Sequence, residues 1–114
     1  SAFRGSATVE EIASAPPLVN DPALMDRVAG WAEELAGKER VYRLDQGGMG
    51  SEDFASFTYE LPCAYLLLGA GTPQEDPRYG KPMHNEAVVF NEDVLPTGAA
   101  LHTLFALRML AQET

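Results

Sequence analysis

The sequence predicts an α/β fold, with about three helices packed on a small sheet. Apolar residues recur at helical spacing over residues 22–36, 52–60 and 94–110, which predicts the three helices. Residues 64–68 are apolar at every position, which is typical of an interior strand buried on both faces, and residues 41–44 predict a shorter strand. A chain of 114 residues that is 46% hydrophobic and 22% charged has the composition of one small globular domain.

The first helix has a strong start and stop. Asp21, in the pair Asn-Asp, can cap the helix, and Pro22 can occupy its first position, where the missing N–H costs little. Gly37 follows the last apolar residue and suits a left-handed C-cap. Residues 1–15 are weakly patterned, and we interpret them as an entry segment or linker in which residues 8–12 are the only candidate for an edge strand.

The centre of the chain is a glycine-rich turn that leads into the second helix. Gly50 allows a sharp turn, and Ser51 can cap a helix whose first turn holds Glu52 and Asp53, where the helix dipole favours negative charge. Such a junction can border an active site or can be a well-made turn, and the residues alone favour the turn. Near the end of the chain, Asn91 and Asp93 are both possible caps of the last helix. Asp93 is preferred, because it places Pro96 inside the first turn, where a missing N–H costs little.

Charge and cysteine content limit the function classes. The formal net charge of −9 argues against nucleic acid or an anionic membrane as a partner, since both need a basic surface. No apolar run approaches the roughly 20 residues of a membrane span. The single cysteine, Cys63, excludes an internal disulfide and is interpreted as a buried structural thiol. We therefore expect a cytoplasmic protein.

The two histidines differ in their surroundings. His102 lies within the apolar last helix, where we expect a packed side chain. His84 follows a long polar loop rich in proline, where its imidazole could bind a metal ion. Because zinc needs about four ligands, one histidine alone does not define a metal site.

Five short motifs carry a resemblance to a known family. They are Pro-Pro-Leu-Val-Asn-Asp (16–21), Gly-Ser-Glu-Asp-Phe-Ala (50–55), Leu-Leu-Leu-Gly-Ala-Gly (66–71), Met-His-Asn (83–85) and Phe-Asn-Glu-Asp-Val-Leu-Pro-Thr-Gly-Ala-Ala-Leu (90–101). In this order and spacing, they resemble the carboxy-terminal part of the M20 metallopeptidases. The most similar branch is the amidohydrolases that cleave N-acylated amino acids, such as hippurate hydrolases and auxin-conjugate hydrolases.

The resemblance implies a fold and a domain organisation. Residues 16–114 would be the carboxy-terminal part of a three-layer α/β/α catalytic domain of the zinc-peptidase type, and residues 1–15 the end of a smaller lid domain. In that family the lid often mediates dimerisation, so the resemblance implies a homo-oligomer. Because the chain would lack the rest of the sheet, we expect the isolated chain to self-associate.

The resemblance also implies a chemistry. The family binds two divalent metal ions (Zn, Mn or Co), and His84 matches one metal ligand, while Gly50, Ser51, Glu52 and Asp53 form a substrate loop beside the site. A metal-bridged water would attack the amide carbonyl of an N-acyl amino acid or small peptide. The other ligands and the general base lie in a part of the family's domain that this sequence does not contain. We therefore expect no catalytic residue, no bound metal and no activity in these 114 residues alone.

A second hypothesis is a free-standing, non-catalytic α/β module that binds a protein partner. The acidic surface and the lone histidine outside the helices allow it. The mass of the native protein would separate the two hypotheses.

Overall fold

Two α-helices and four short 3₁₀ helices make up the regular structure of the described residues. The computed structural model describes residues 4–44 and 46–111. Helix α1 spans Pro22–Ala36 and helix α2 spans Leu95–Leu110. The 3₁₀ helices span Lys38–Arg40, Asp53–Tyr59, Pro77–Gly80 and Glu92–Val94. Among the described residues, no helix is long and apolar enough to cross a membrane.

The predicted α/β fold is wrong, because no strand is present in residues 4–44 and 46–111. The two groups of the Tyr65 main chain that a neighbouring strand would bind are occupied by one side chain. The Tyr65 N–H donates to Asn20 Oδ1 at 2.7 Å, and the Tyr65 carbonyl accepts from Asn20 Nδ2 at 3.0 Å. Leu67 is 76% exposed, so residues 64–68 are not buried on both faces either. Continuous apolarity predicted a strand, but a strand also needs a partner strand.

The two other predicted strands are also irregular. Residues 41–44 follow the Lys38–Arg40 turn with Tyr42 and Leu44 exposed. Residues 8–12 form no regular structure, and both Val9 and Ile12 are exposed. Apolar side chains that stay exposed provide little burial energy to order a strand.

The sequence signals for helix α1 are confirmed at both ends. Asp21 Oδ1 accepts the Leu24 N–H at 2.7 Å, and Pro22 lies at the start of the helix. Gly37 has φ 95°, a conformation that favours glycine, and its N–H donates to the Glu33 carbonyl at 3.0 Å. The predicted range of 22–36 matches the observed one.

The other helices form where predicted, but different residues cap them. The second helix is a 3₁₀ helix capped by Glu52, whose side chain accepts the Phe54 N–H, so the prediction of Ser51 as cap is wrong. Before α2, Asn91 rather than Asp93 caps the Glu92–Val94 turn, and α2 then begins without a side-chain cap. Neighbouring Asn, Asp, Ser and Glu side chains can each accept a capping hydrogen bond, and the local dihedral angles decide which of them does so.

The core lies between helices α1 and α2. Trp31 faces Phe105 with ring centroids 6.4 Å apart, and Arg108 of α2 forms an exposed ion pair with Glu34 of α1 at 2.6 Å. The remaining core side chains come from both helices and from the start of the segment after Pro62: Leu24, Val28, Ala64, Leu104 and Met109. The radius of gyration is 19.4 Å, compared with about 13 Å for a compact domain of this length. This core therefore covers only a small part of the apolar side chains.

We expect the isolated chain to self-associate in solution. Leu67, Leu107 and Leu110 are exposed, and exposed apolar side chains on this scale favour association. Analytical ultracentrifugation should show species larger than a monomer, with the fraction rising with concentration. Leu67→Glu and Leu107→Glu should shift the distribution towards monomer, whereas Glu10→Gln, at an exposed site in the irregular amino-terminal segment, should not. A sharp monomer at high concentration would contradict the expectation.

Candidate functional site

His84 lies in an exposed turn with an uncommon backbone conformation. Its φ is 62°, which few residues other than glycine adopt, although histidine does so more often than most. The turn continues through Asn85, whose side-chain oxygen accepts the Ala87 N–H at 2.9 Å and whose carbonyl accepts the Val88 N–H at 3.0 Å. The imidazole is therefore held on a hydrogen-bonded turn and is accessible from solvent.

The described residues do not form a metal site by themselves. Within residues 4–44 and 46–111, no group of three or more His, Cys, Asp or Glu side chains is placed to hold a metal ion. His84 offers one nitrogen donor, whereas a zinc site takes about four ligands. This part of the chain could therefore contribute a ligand but could not complete the coordination.

The predicted substrate loop leads into a well-anchored carboxylate. Gly50 and Ser51 are exposed, and Asp53 lies in the first turn of the Asp53–Tyr59 helix. Glu52 Oε1 accepts the Phe54 N–H at 3.2 Å, and Glu52 Oε2 accepts the Tyr65 hydroxyl at 2.9 Å. The Phe54 N–H first, and the Tyr65 hydroxyl second, lower the pKa of Glu52 below its ordinary value. Glu52 is therefore held as an ionised carboxylate at neutral pH.

Proximity of this loop to His84 stays a prediction. In the part of the chain that the structure describes, Glu52 bonds to Phe54 and Tyr65, and no hydrogen bond or ion pair joins the loop to His84. The structure thus brings Glu52 together with a residue that the sequence did not single out.

Tyr65 is the residue that sequence reasoning missed. It was predicted only as one apolar member of a buried strand, yet it is bound by Glu52 through its hydroxyl and by Asn20 through its main chain. Its ring also lies 5.6 Å from that of Phe54. Asn20 is 45 residues away along the chain, and no local pattern marks such a distant pair.

The polar loop before His84 is more ordered than its composition predicts. Asp76 caps the Pro77–Gly80 turn and pairs with Arg78 at 2.7 Å, which lowers the pKa of Asp76. Gly71 has φ 107°, and an added Cβ there would clash with the ring of Tyr79. These contacts fix the path of the chain towards His84.

Two side chains differ from their predicted surroundings. His102 is exposed on helix α2, so the prediction of a packed side chain is wrong. Cys63 is half-buried and lines an open apolar groove of about 280 Å³ together with Leu24, Phe54 and Phe105.

Comparison with known proteins places the chain in a family. Residues 5–108 match the model described as peptidase family M20/M25/M40. The chain belongs to this M20 family. The match extends over most of the chain and confirms the resemblance that the five motifs carry.

Two curated M20-type relatives illustrate the similarity. The chain is 34% identical over 98 residues to IAA-amino acid hydrolase ILR1-like 2 of Arabidopsis thaliana, which covers 86% of this chain and 21% of the relative. It is 31% identical over 93 residues to thermostable carboxypeptidase 1 of Saccharolobus solfataricus, which covers 82% of this chain and 22% of the relative. The chain thus spans about one-fifth of the length of the curated relatives that it matches. No solved structure matches the chain.

Proposed function

We propose that this chain is the carboxy-terminal part of a longer metal-dependent hydrolase that cleaves an amide bond of an N-acyl amino acid or small peptide. The observation that carries the proposal is the family match over residues 5–108. The names of two relatives, an IAA-amino acid hydrolase and a carboxypeptidase, both suit a substrate of this class. The chain's own contribution would be His84 as a metal ligand and Gly50, Ser51, Glu52 and Asp53 as a loop beside the substrate.

Activity would depend on groups outside these 114 residues. His84 supplies one ligand, and no described cluster supplies the others, so the remaining ligands and the general base would come from the rest of the longer protein. Divalent metal ions (Zn, Mn or Co), when bound there, would supply Lewis acidity. The 114 residues alone would be inactive.

An assay of the two lengths tests the proposal. The longer protein and the 114-residue chain are each incubated with a panel of N-acyl amino acids and dipeptides, with and without a chelator, and after addition of Zn²⁺, Mn²⁺ or Co²⁺. We expect hydrolysis only by the longer protein, with loss on chelation and recovery on metal addition. Hydrolysis by the 114-residue chain, or hydrolysis that is insensitive to the chelator, would contradict the proposal.

The exposed apolar side chains favour a second candidate, a module that binds a protein partner without catalysis. A native protein no longer than this chain, which binds a partner and lacks hydrolase activity, would favour this candidate. Homo-oligomerisation of the longer protein and a cytoplasmic location stay predictions.

A further inference from the structure

The two oxygens of the Glu52 carboxylate connect two separate parts of the chain. One oxygen caps the Asp53–Tyr59 helix through the Phe54 N–H, and the other accepts the hydroxyl of Tyr65, thirteen residues further on. The glycine-rich loop, which we define as residues 46–51, ends directly at this carboxylate. Glu52 therefore follows the loop directly and attaches its carboxyl end to the rest of the structure.

Tyr65 is itself fixed, so it can serve as an anchor. Its N–H and carbonyl are both bound by the Asn20 side chain, at 2.7 and 3.0 Å. Its ring lies beside that of Phe54, with centroids 5.6 Å apart. Main chain, ring and hydroxyl are thus restrained by three different residues, which leaves the hydroxyl little freedom to move away from Glu52.

The loop that depends on this anchor has few contacts of its own. Met49 is fully exposed, and an added Cβ at Gly47 or Gly50 would meet no atom within 4 Å. Glycines without neighbours allow many backbone conformations, so the loop gains little order from its own sequence. The contact at its carboxyl end is the restraint that limits its position.

We propose that the Glu52–Tyr65 hydrogen bond is a positioning contact that holds the glycine-rich loop for substrate binding, and that Tyr65 is a positioning residue of this enzyme. The inference rests on the proposed function, which places the loop beside an N-acyl amino acid or small peptide. Each Glu52 oxygen accepts a hydrogen bond from within the chain and the Tyr65 hydroxyl donates its hydrogen bond to Glu52, so the proposal gives both side chains a positioning role and not that of the reacting group. Loss of the contact should therefore weaken substrate binding more than it slows the chemical step.

The charge states favour the contact over a wide pH range. The Phe54 and Tyr65 hydrogen bonds lower the pKa of Glu52, so its stabilising contribution is present above the unfolded pKa and is lost as pH falls through the lower folded pKa. The hydrogen bond to Glu52 raises the pKa of Tyr65, so that contribution is present below the unfolded pKa and is lost as pH rises through the higher folded pKa. At neutral pH the pair is a carboxylate and a neutral phenol, the arrangement of a charge-assisted hydrogen bond.

Three variants of the longer protein test the proposal: Tyr65→Phe, Glu52→Gln and the double variant. Tyr65→Phe removes only the hydroxyl and keeps the ring against Phe54, so the fold should survive. The control is Tyr59→Phe, which removes the hydroxyl of a tyrosine that is 60% exposed on the adjacent 3₁₀ helix. Amide hydrogen exchange at Phe54 and Ala55, whose N–H groups both bond to Glu52, is measured for each protein together with KM and kcat.

We expect Tyr65→Phe to speed exchange at Phe54 and Ala55 and to raise KM by about threefold to tenfold, the net effect of losing one hydrogen bond, with kcat changed by less than about twofold. Because the two side chains form one contact, the double variant should show no larger change than Glu52→Gln alone. Tyr59→Phe should match the wild type in all three measurements.

The exchange measurement tests the contact itself, and the kinetic measurements test its role in substrate binding. If the wild type hydrolyses no N-acyl amino acid or dipeptide, the proposed function is wrong, while exchange at Phe54 and Ala55 still tests the contact. If Tyr65→Phe leaves both exchange and KM at the level of Tyr59→Phe, the positioning contact does not exist. Faster exchange with an unchanged KM, or a fall in kcat alone, would overturn the role in substrate binding.

Discussion

Replacing His84 by alanine in the longer protein should abolish amide hydrolysis and lower the bound metal content. In the proposed function His84 is one of the few direct ligands, and losing a direct ligand should cost more than the roughly 10- to 100-fold that follows the loss of an outer partner. We therefore expect metal affinity to fall by more than about 100-fold. The fold should persist, because the side chain is exposed and Asn85 holds the turn that carries it.

In the same preparations, metal analysis measures the bound metal, kinetics measures the hydrolysis and circular dichroism measures the retention of the fold. The matched control is His102→Ala, which removes the only other histidine of the chain, at an exposed site on helix α2. That variant should retain both metal and activity. Full metal content and full activity in His84→Ala would show that this residue is not a ligand and that the family resemblance does not extend to it.

Replacing Trp31 by alanine should unfold the packed pair of α1 and α2. Trp31 is 7% exposed and packs on Phe105, and removing a buried tryptophan costs about 3–5 kcal/mol. Small domains are stable by about 5–15 kcal/mol in total, and a domain with so small a core lies towards the lower limit. We therefore expect loss of most of the helical signal of the 114-residue chain at room temperature.

Urea unfolding followed by circular dichroism measures this change, since Trp31 is the only tryptophan and its fluorescence is lost in the variant. Leu67→Ala is the control, because that side chain is 76% exposed and its truncation should change the free energy of unfolding by at most about 0.5 kcal/mol. Equal unfolding midpoints for Trp31→Ala and Leu67→Ala would show that the contact between the two helices does not stabilise the chain.

Local signals in the sequence predicted the helices well. The Asp21 cap, Pro22 and Gly37 all act within a few residues, and they locate helix α1 correctly at both ends. Pro96 was likewise predicted within the first turn of α2, where it is found. These features depend on short-range geometry, which the types of neighbouring residues predict.

Strand pairing and the anchoring of the loop depend on distant residues. The sequence alone predicted a sheet that the described residues do not form, and it did not predict the anchoring. Residues 64–68 are apolar, but their environment is decided by Asn20, whose amide binds Tyr65 from 45 positions away. Glu52 rather than Ser51 caps the Asp53–Tyr59 helix, partly because the Tyr65 hydroxyl donates a second hydrogen bond to the same carboxylate. His84 was selected from the family resemblance, and its positive φ could not be read from the residues Met-His-Asn.

The Asn20 side chain has a further consequence for assembly. Short apolar runs such as residues 64–68 can stack with copies of themselves into fibrils when their main-chain groups are available to another molecule. At Tyr65 the N–H and the carbonyl are both occupied by one amide, so an incoming copy would have to displace Asn20 before it could bind there. Asn20 therefore blocks main-chain pairing at Tyr65. We expect this chain to associate through its exposed leucine side chains rather than through amyloid-type pairing of main chains.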